Sequence, residues 1–309
     1  MTSASMNGAE RDMASPIAFI GVDGGATRCR ARLRDPGGAA LAEAVGAASN
    51  IHVDFAAAIG VMRGLIVAVR DKAGLNADKN SRIAIGFGLA GLNDAGDAAK
   101  VCAAFPGHAL VRAANDATTA CIGAHGAADG GLVIAGTGSA AIARVAGKET
   151  IIGGRGFALG DDGSGALIGL AALRAATRAY DRLAPASALT SEILGAFDGD
   201  IVAMVRWART ARPGDYGAFA PRVFQHAAKG DPIAAAIVGS AAAAIAALAR
   251  GVVGLGARRV ALVGGVGDAL RPYLEPEIAR LLARPLYDAT DGAILLVGGV
   301  VASEREAAQ

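Results

Sequence analysis

The sequence is poor in cysteine, in aromatic residues and in net charge. Its 309 residues contain three cysteines and no C-x-x-C pair, so it disfavours a disulfide framework and a cysteine-based zinc or iron–sulfur site. A reducing cytoplasm fits this composition best. The 30 Lys and Arg residues nearly balance 28 Asp and Glu residues, which leaves a formal charge of +2 and no basic surface for nucleic acid or an acidic membrane.

Long apolar runs are also scarce. The longest uncharged stretch, Pro232 to Ala249, is mostly Ala, and Asp231 before it matches the start of a soluble helix. We therefore expect a buried soluble helix there, with a membrane span as the alternative. Residues Met1 to Ser15 are polar and lack an apolar core, so they are interpreted as a disordered leader and not as a signal peptide.

What the sequence does contain indicates a globular protein with large cores. Hydrophobic residues make up 53% and charged residues 19%, which excludes disorder away from the ends. Aromatic residues are 4% and glycines number 44, so Ala, Val, Leu and Ile must form the core around many close backbone approaches. At about 100–200 residues per domain, the length predicts two domains or one large one.

The order of predicted elements repeats along the chain. In the first half the strand Ile17–Val22 ends in Asp23-Gly24-Gly25, and in the second half Gly131–Ala135 ends in Gly136-Thr137-Gly138-Ser139. Each half also contains a later strand with a glycine-rich exit and a helix that starts at a D-A-T sequence. This internal duplication predicts two similar α/β lobes with a cleft between them.

The two glycine turns are candidate phosphate sites. A phosphate chain needs several converging backbone N–H groups with no Cβ in the way, which glycine allows. The hydroxyls of Thr27, Thr137 and Ser139 add donors for phosphate or sugar oxygens. Either turn alone is interpreted as an ordinary tight turn, whereas two at corresponding points of a duplicated chain favour phosphate binding.

Two carboxylates lie next to these features. Asp23 ends the first strand, where it is placed to hold hydrated Mg²⁺; the alternative is a turn-forming aspartate. Asp116 follows the strand Ala109–Ala113, where its side chain is expected to face the cleft and accept the proton of an attacking hydroxyl; the alternative is a helix N-cap. Asp288, at the matching point of the second half, is interpreted as mainly structural.

Some further features are not assigned any chemistry. The segment Gly86–Gly91 matches G-x-G-x-x-G after a strand, but Asn93 and Asp94 interrupt the helix that a dinucleotide site requires, so we expect a close-packed loop. The histidines lack metal-ligand spacing, and Trp207 is expected to be a packing residue.

The motifs resemble those of the sugar kinase/Hsp70/actin superfamily. Gly21–Thr27 resembles its first phosphate motif, Ala135–Ser139 its second and Gly264–Gly267 its adenosine motif, while the D-A-T helices resemble its connecting helices. Within the superfamily the chain is similar to the BadF/BadG-type ATPase family, which includes N-acetylglucosamine kinases, and within that to bacterial glucosamine kinases. The segments that resemble this last group are Ser49–Ile51, Gly153–Gly156, Asp161–Gly165 and Asp215–Pro221.

The resemblance implies an α/β fold of two RNase H-like lobes, duplicated as in actin-like ATPases. The N-terminal lobe would comprise residues 16–118 plus 290–309, and the C-terminal lobe residues 119–289. ATP as co-substrate would bind in the interlobe cleft, Asp23 would hold Mg²⁺ through water, and Asp116 would be the catalytic base toward a sugar 6-hydroxyl. The implied ATP-binding residues are Gly24, Gly25, Ala26, Thr27, Gly136, Thr137, Gly138, Gly264 and Gly265. The implied substrate-binding residues are Asn50, Asp116, Thr137, Ser139, Gly154 and Asp161.

The residues and the resemblance predict an ATP-dependent amino-sugar kinase that phosphorylates glucosamine at its 6-hydroxyl. N-Acetylglucosamine is the alternative substrate; the neighbouring Asp161 and Asp162 favour a partly protonated amine over an acetamide. An alternative from another class is an ATP-driven regulatory switch or activator without a sugar substrate. A homodimer is compatible with the resemblance, and neither a nucleic acid nor a membrane partner is expected.

Overall fold

A computed structural model describes residues 15–25 and 28–302 of the chain. The described residues fall into two compact units. The first comprises the chain up to Thr119 together with the segment from Ala289 onward, and the second comprises Ala120–Asp288. Each unit is built around its own five-stranded sheet and its own hydrophobic core.

The sheet of the first unit has the strand order β3-β2-β1-β4-β5. Strands β1 (Ala18–Gly24), β2 (Cys29–Arg34) and β3 (Ala40–Gly46) form an antiparallel meander. Strands β4 (Ile83–Leu89) and β5 (Leu110–Asn115) run parallel to β1. Because β1, β4 and β5 are parallel, their carboxyl ends lie along the same edge of this sheet.

Four α-helices accompany this sheet: α1 (Phe55–Lys72), α2 (Ala95–Ala103), α3 (Asp116–His125) and α12 (Ala289–Leu296). A short 3₁₀ helix spans Ala77–Arg82. Helix α1 starts where predicted, because the Asp54 carboxylate accepts a hydrogen bond from the N–H of Ala57 at 2.9 Å.

Glycines in the central strands allow helices to approach the sheet closely. A Cβ on Gly21 would lie 2.0 Å from the Thr290 carbonyl oxygen, and one on Gly86 would lie 1.8 Å from that of Ala293, both in α12. A Cβ on Gly88 would lie 1.9 Å from Thr119 Oγ1 in α3. The expectation that Gly86–Gly91 forms a close-packed loop is therefore wrong for its first four residues: Gly86 and Gly88 lie within β4, where the missing side chains make room for two helices, and only Ala90 and Gly91 lie in a turn.

A buried ion pair connects helix α12 to strand β2 of the antiparallel meander. Arg34 donates from Nε and Nη2 to the two carboxylate oxygens of Asp291, each at 2.8 Å, and Arg32 Nη1 lies 2.8 Å from Asp291 Oδ2. The Arg34 and Asp291 side chains are only 11% and 5% exposed, so solvent barely reaches this contact.

The sheet of the second unit has the order β10-β9-β6-β7-β8. Strands β6 (Gly130–Ala135), β7 (Ser139–Val145) and β8 (Lys148–Gly153) form an antiparallel meander, and β9 (Val260–Val263) and β10 (Leu282–Ala283) are parallel to β6. Three antiparallel strands followed by two parallel ones is the arrangement of the first unit as well. The predicted α/β duplication is therefore confirmed in the topology of the two sheets.

The second unit contains more helices than the sequence analysis anticipated. They are α4 (Gly165–Tyr180), α5 (Ala188–Gly195), α6 (Ile201–Ala208), α7 (Pro213–Gly217), α8 (Ala220–Ala228), α9 (Pro232–Gly254), α10 (Gly265–Leu270) and α11 (Pro276–Leu281), with a 3₁₀ turn at Arg271–Tyr273. Trp207 packs against Phe197, Tyr216 and Phe219 in an aromatic cluster, so its predicted packing role is confirmed.

Helix α9 begins at the predicted position, where Asp231 accepts hydrogen bonds from the N–H groups of Ile233 and Ala234. Within the described part of the chain, α9 is the one helix long and apolar enough to cross a membrane, judged by length and composition. One face, including Val238, Ile245 and Val252, is buried against the second sheet. This packing is that of a core helix, while the opposite face remains exposed.

Candidate active site

Two carboxylates lie at the carboxyl edge of the first sheet. Asp23 is the next-to-last residue of β1, and Asp116 directly follows β5 as the first residue of α3. Burial raises the pKa of the Asp116 carboxyl, and the negative charge of Asp23 raises it further, whereas a hydrogen bond from the N–H of Ala117 lowers it. The two carboxylates are thus close enough to interact electrostatically.

The helix-capping alternative for Asp116 is only partly realised. The N–H of Ala117 lies 2.9 Å from Asp116 Oδ1, but it also lies 2.9 Å from Asn115 Oδ1, so Asn115 shares the capping role. A hydrogen bond from the N–H of Asp116 itself also lowers the pKa of this carboxyl, but burial keeps the pKa raised. A half-buried carboxylate with a raised pKa is suited to accept a proton.

Asp23 has a partner that the sequence analysis missed. Arg30 Nη2 donates to Asp23 Oδ2 at 2.8 Å, because the two residues face each other across the β1–β2 pair. The alternation of arginine in β2 was the only signal that could have identified this contact. The turn-forming alternative for Asp23 does not apply, since the residue lies within the strand.

The donor set at this edge fits Mg²⁺ with retained water. No cluster of three or more His, Cys, Asp or Glu residues in residues 15–25 and 28–302 could hold a metal. Mg²⁺ in phosphoryl-transfer sites is usually bound by one or two carboxylates, with phosphate oxygens and water as its other ligands. Asp23, with Asp116 nearby, matches that requirement.

The first glycine turn is described only in part, since Ala26 and Thr27 lie outside the described residues. Gly25 donates its N–H to the Arg28 carbonyl at 2.9 Å, which closes the turn. A Cβ on Gly24 would lie 2.5 Å from Ser49 Oγ, so the Ser49–Ile51 segment packs directly on this turn.

Asn50 uses its side-chain oxygen within its own loop. Asn50 Oδ1 accepts the N–H of His52 at 2.9 Å, which is the loop chemistry that the residue type favours. Gly91, with a φ of +85°, packs against the same oxygen. The side-chain NH₂ of Asn50 donates to no residue that the structure describes, so it is the part of this side chain that can contact a ligand.

The second glycine turn is fully described and is held by a helix. It joins β6 to β7, and the N–H of Gly136 donates to the Gly138 carbonyl at 2.9 Å. The carbonyls of Gly136 and Thr137 accept the N–H groups of Gly165 and Ala166, the first residues of α4, at 2.8 and 3.2 Å. The N–H groups of Thr137 and Gly138 donate to no described residue and can serve as anion donors.

Asp161 lies against this turn, and Ser139 supports it. A Cβ on Gly138 would lie 2.9 Å from Asp161 Oδ2, while the Ser139 hydroxyl donates to the Asp162 carbonyl at 2.8 Å. Burial raises the pKa of the Asp161 carboxyl, although hydrogen bonds from the N–H groups of Ser139 and Gly156 lower it. Ser139 therefore positions the 161–162 segment with the hydroxyl that was predicted to contact a ligand.

Two further glycine sites lie in the second unit. Gly264 has a φ of +99°, and a Cβ there would lie 2.3 Å from the Ala135 carbonyl oxygen, so this position requires glycine. Gly265 begins α10 and has open space where its Cβ would stand. Gly154, with a φ of +65°, donates its N–H to the Ser139 carbonyl at 3.0 Å.

The structure thus brings the predicted residues together in two groups. Asp23, Gly24, Gly25, Asn50 and Asp116 belong to the first unit, and Gly136–Ser139, Gly154, Asp161, Gly264 and Gly265 belong to the second. The cleft that would join them stays a prediction.

The sequence analysis did not anticipate a cavity in the second unit. It has a volume of about 890 Å³ and lies between α4 and α9, with mainly apolar lining and with Asp161 and Asp162 on its wall. The uncharged run of α9 was the one sequence feature that could have indicated it.

Comparison with known proteins places this geometry in a family. The model of the BadF/BadG/BcrA/BcrD ATPase family matches residues 20–297, which is most of the chain. The chain belongs to this family. The resemblance inferred from the glycine turns and the D-A-T helices is therefore confirmed.

Relatives of the family support the match along nearly the whole chain. Glucosamine kinase GspK of Vibrio cholerae is 33% identical over 280 residues, covering 91% of this chain and 95% of that protein. N-Acetyl-D-glucosamine kinase of Dictyostelium discoideum is 29% identical over 247 residues, covering 74% and 76%.

Solved structures show the same fold. One from Chromobacterium violaceum, whose name proposes N-acetylglucosamine kinase activity, is 36% identical with a TM-score of 0.83 and covers 91% of this chain and 99% of that one. A ROK family glucokinase from Streptomyces griseus shares the fold at 19% identity, with a TM-score of 0.54 and coverage of 91% and 99%.

Proposed function

We propose that the protein is an ATP-dependent glucosamine kinase, which transfers the γ-phosphate of ATP to the 6-hydroxyl of the sugar and releases glucosamine 6-phosphate and ADP. The observation that carries this proposal is the Asp116 carboxylate, which is half-buried at the carboxyl edge of the first sheet, close enough to Asp23 to interact electrostatically, and has a pKa that burial raises. Family membership and the likeness to GspK support the same reaction.

In this mechanism Asp116 orients the sugar 6-hydroxyl and accepts its proton as the new P–O bond forms. Phosphoryl transfer passes through a loose transition state, so the proton moves late and much of the acceleration comes from positioning. The raised pKa of Asp116 makes its carboxylate a stronger base than an exposed aspartate.

The phosphates of ATP are assigned to the two glycine turns. The N–H groups of Thr137 and Gly138 supply donors in the second unit, and Gly24 and Gly25 lie at the corresponding turn in the first. Ala26 and Thr27, which are proposed to contribute as well, lie outside the described residues. Gly264 and Gly265 are assigned to the nucleotide. Asp23 would hold Mg²⁺ through water, and that ion would neutralise phosphate charge during transfer.

The amino group of glucosamine is assigned to the Asp161 side of the site. An ammonium that donates to a carboxylate gains about 1.5–3 kcal/mol as a charge-assisted hydrogen bond. Asn50, Thr137 and Gly154 complete the proposed sugar contacts, with the NH₂ group of Asn50 as its donor, and Ser139 supports them by positioning the 161–162 segment. N-Acetylglucosamine is the second candidate substrate, favoured by the names of the Dictyostelium and Chromobacterium relatives.

A substrate panel tests the proposal. ADP release is measured with glucosamine, N-acetylglucosamine, glucose and no sugar, and product phosphorylation is verified by mass spectrometry. We expect the highest kcat/KM with glucosamine. A higher value with N-acetylglucosamine would select the second candidate, and slow hydrolysis that no sugar stimulates would instead favour an ATP-driven switch.

We also propose that the protein forms a homodimer through the exposed face of α9. The small side chains of Ala236, Ser240, Ala243 and Ala247 recur along this face at helical spacing, and it borders the apolar cavity. The acidic pair Asp161 and Asp162 on the cavity wall disfavours an anionic membrane as the occupant. Light scattering with Ala243→Arg tests this: we expect the wild type to be dimeric and the variant monomeric, and a monomeric wild type would overturn the proposal.

A cytoplasmic location belongs to the same proposal. It rests on the low cysteine content of the sequence, which fits a reducing compartment where ATP is available.

A further inference from the structure

Three arginines line one face of β2. Arg30, Arg32 and Arg34 alternate with residues that are buried against the core, so their side chains share the opposite face of the strand. In the register with β1, Arg30 lies opposite Asp23 and Arg32 lies opposite Gly21. The row of arginines therefore leads from the buried α12 contact to the carboxyl edge that holds Asp23.

The arginines at the two ends of this row have different surroundings. Arg34 binds Asp291 in a contact where the side chains are 11% and 5% exposed. The Arg30–Asp23 pair has side-chain exposures of 30% and 21%, so water and solutes reach it. The first pair is part of the packing between α12 and the sheet, whereas the second can exchange partners with a solute.

We propose that Arg30 is a positioning residue that neutralises Asp23 in the metal-free protein and competes with Mg²⁺ for the charge of its carboxylate. This inference rests on the proposed function, in which nucleotide and Mg²⁺ meet at Asp23. A guanidinium and a hydrated divalent cation are both attracted to the same carboxylate oxygens. When one of them is bound, the other binds there with a less favourable free energy.

The consequence concerns the coupling between metal and nucleotide. Without metal, Arg30 reduces the repulsion between Asp23 and the polyphosphate, so it supports nucleotide binding. With Mg²⁺ present the ion takes over this role, and the guanidinium becomes a competing positive charge. Loss of the Arg30 charge should therefore weaken metal-free nucleotide binding while leaving Mg²⁺–nucleotide binding unchanged or tighter.

The test is calorimetric titration of the full-length protein with a non-hydrolysable ATP analogue, once in EDTA and once in excess Mg²⁺. The readout is the ratio of the Kd in EDTA to the Kd in excess Mg²⁺, which does not depend on turnover. We expect Arg30→Gln to raise this ratio about five- to ten-fold, as expected from one unit charge at a partly solvated site. Arg30→Lys keeps the charge and should restore a ratio within about two-fold of the wild type.

Arg32→Gln is the matched control, because it removes the same charge from the same face of β2 but interacts with Asp291 and Glu43. Its ratio should equal that of the wild type, whatever its effect on stability. If Arg30→Gln does not fold, Arg30→Met provides a second neutral variant of similar length.

The inference is overturned if the ratio is unchanged in the neutral Arg30 variants. A merely structural role would raise both Kd values by the same factor, and this outcome leaves the ratio unchanged. The same increase in Arg32→Gln also overturns it. If the wild type fails to bind the analogue with Mg²⁺, the proposed function itself is wrong.

Discussion

At the carboxyl edge of the first sheet the polar groups are the carboxylates of Asp23 and Asp116, whereas the corresponding edge of the second sheet offers the backbone N–H groups of Thr137 and Gly138. Both sheets have the same strand order. The duplicated topology thus provides two equivalent positions, and local residues decide whether a position presents negative charge or anion donors. One edge suits a metal and a proton acceptor, and the other suits phosphate.

The two D-A-T helices differ in the same way. In α3 the first residue, Asp116, is half-buried at the sheet edge, and its carboxylate has no arginine paired with it among the described ion pairs. In α12 the buried carboxylate is Asp291, one turn further along than Asp288, and two arginines neutralise it. A repeated sequence motif therefore begins one helix at a candidate base, whereas the other helix carries a packing contact one turn after the motif aspartate.

The largest expected effect separates these two helix starts. Asp116→Asn removes the proposed proton acceptor, so kcat with glucosamine should fall at least about 10³-fold, within the range for loss of a general base combined with misorientation of the hydroxyl. Nucleotide binding should stay within about three-fold, measured by calorimetry. Asp288→Asn is the matched control and should retain activity within about two-fold. Substantial turnover in Asp116→Asn would contradict the assignment.

The next effect contrasts a buried ion pair with an exposed one. Asp291→Asn leaves Arg32 and Arg34 without their buried counter-charge, so we expect the free energy of unfolding to fall by about 3–5 kcal/mol in urea denaturation. In the second unit, Arg250 pairs with Glu275, and their side chains are 47% and 53% exposed. Glu275→Gln should cost less than about 1 kcal/mol. Equal losses would contradict the difference in burial.

A glycine substitution tests the close approach of α12 to β4. Gly86→Ala places a Cβ 1.8 Å from the Ala293 carbonyl, so the helix must move away from the sheet. We expect a loss of about 3 kcal/mol in stability, measured by denaturation. The control is Gly60→Ala in α1, where a Cβ has open space and the variant should gain about 0.5–1 kcal/mol from helix propensity. A neutral Gly86→Ala would show that the strand tolerates a side chain there.

A pH profile compares the two aspartates whose pKa is raised, one in each unit. Asp116 must be ionised to accept a proton, and its pKa is raised by burial and by Asp23. As the pH is lowered, activity should therefore be lost at a pH above the ordinary aspartate pKa of about 4. The acid limb of kcat at saturating glucosamine reports the value in the enzyme–substrate complex. Asp161→Asn should lower kcat/KM without moving the acid limb of kcat, since Asp161 is assigned to binding. A limb that moves in Asp161→Asn would reverse the two roles.

The smallest effect concerns the caps of the longest helix in each unit. Asp231 accepts the N–H groups of Leu189, Ile233 and Ala234, whereas Asp54 accepts one from Ala57. In denaturation experiments we expect Asp231→Ala to lower the free energy of unfolding by about 2 kcal/mol and Asp54→Ala to lower it by about 1 kcal/mol.

The Asp231 cap should also depend on pH. Burial opposes ionisation, but the N–H hydrogen bonds keep the pKa of Asp231 below its ordinary value. Its contribution to stability should therefore be complete at neutral pH and be lost as the pH falls through the folded-state value. An equal cost of Asp231→Ala at neutral pH and well below pH 4 would contradict this.

Sequence patterns were sufficient wherever the controlling interaction is local. The starts of α1 and α9 follow from an aspartate and its next few N–H groups, and the glycine turns follow from backbone geometry. Two expectations required information that local patterns lack. Gly86 resembled part of a loop because glycine is common in turns, yet it lies in a strand that touches a helix roughly 200 residues later in the chain. Ser139 looked like a ligand donor, but its hydroxyl is committed to the Asp162 carbonyl.

By itself, the sequence determined the duplicated α/β topology, the two glycine turns and the positions of Asp23 and Asp116, because short-range periodicity and backbone sterics decide such features. Only the tertiary structure decided which of these groups are already engaged. The Arg30–Asp23 pair depends on strand register, and Arg34 and Asp291 meet across 257 residues of chain. Contacts of this kind arise when distant segments pack together, so no local pattern specifies them.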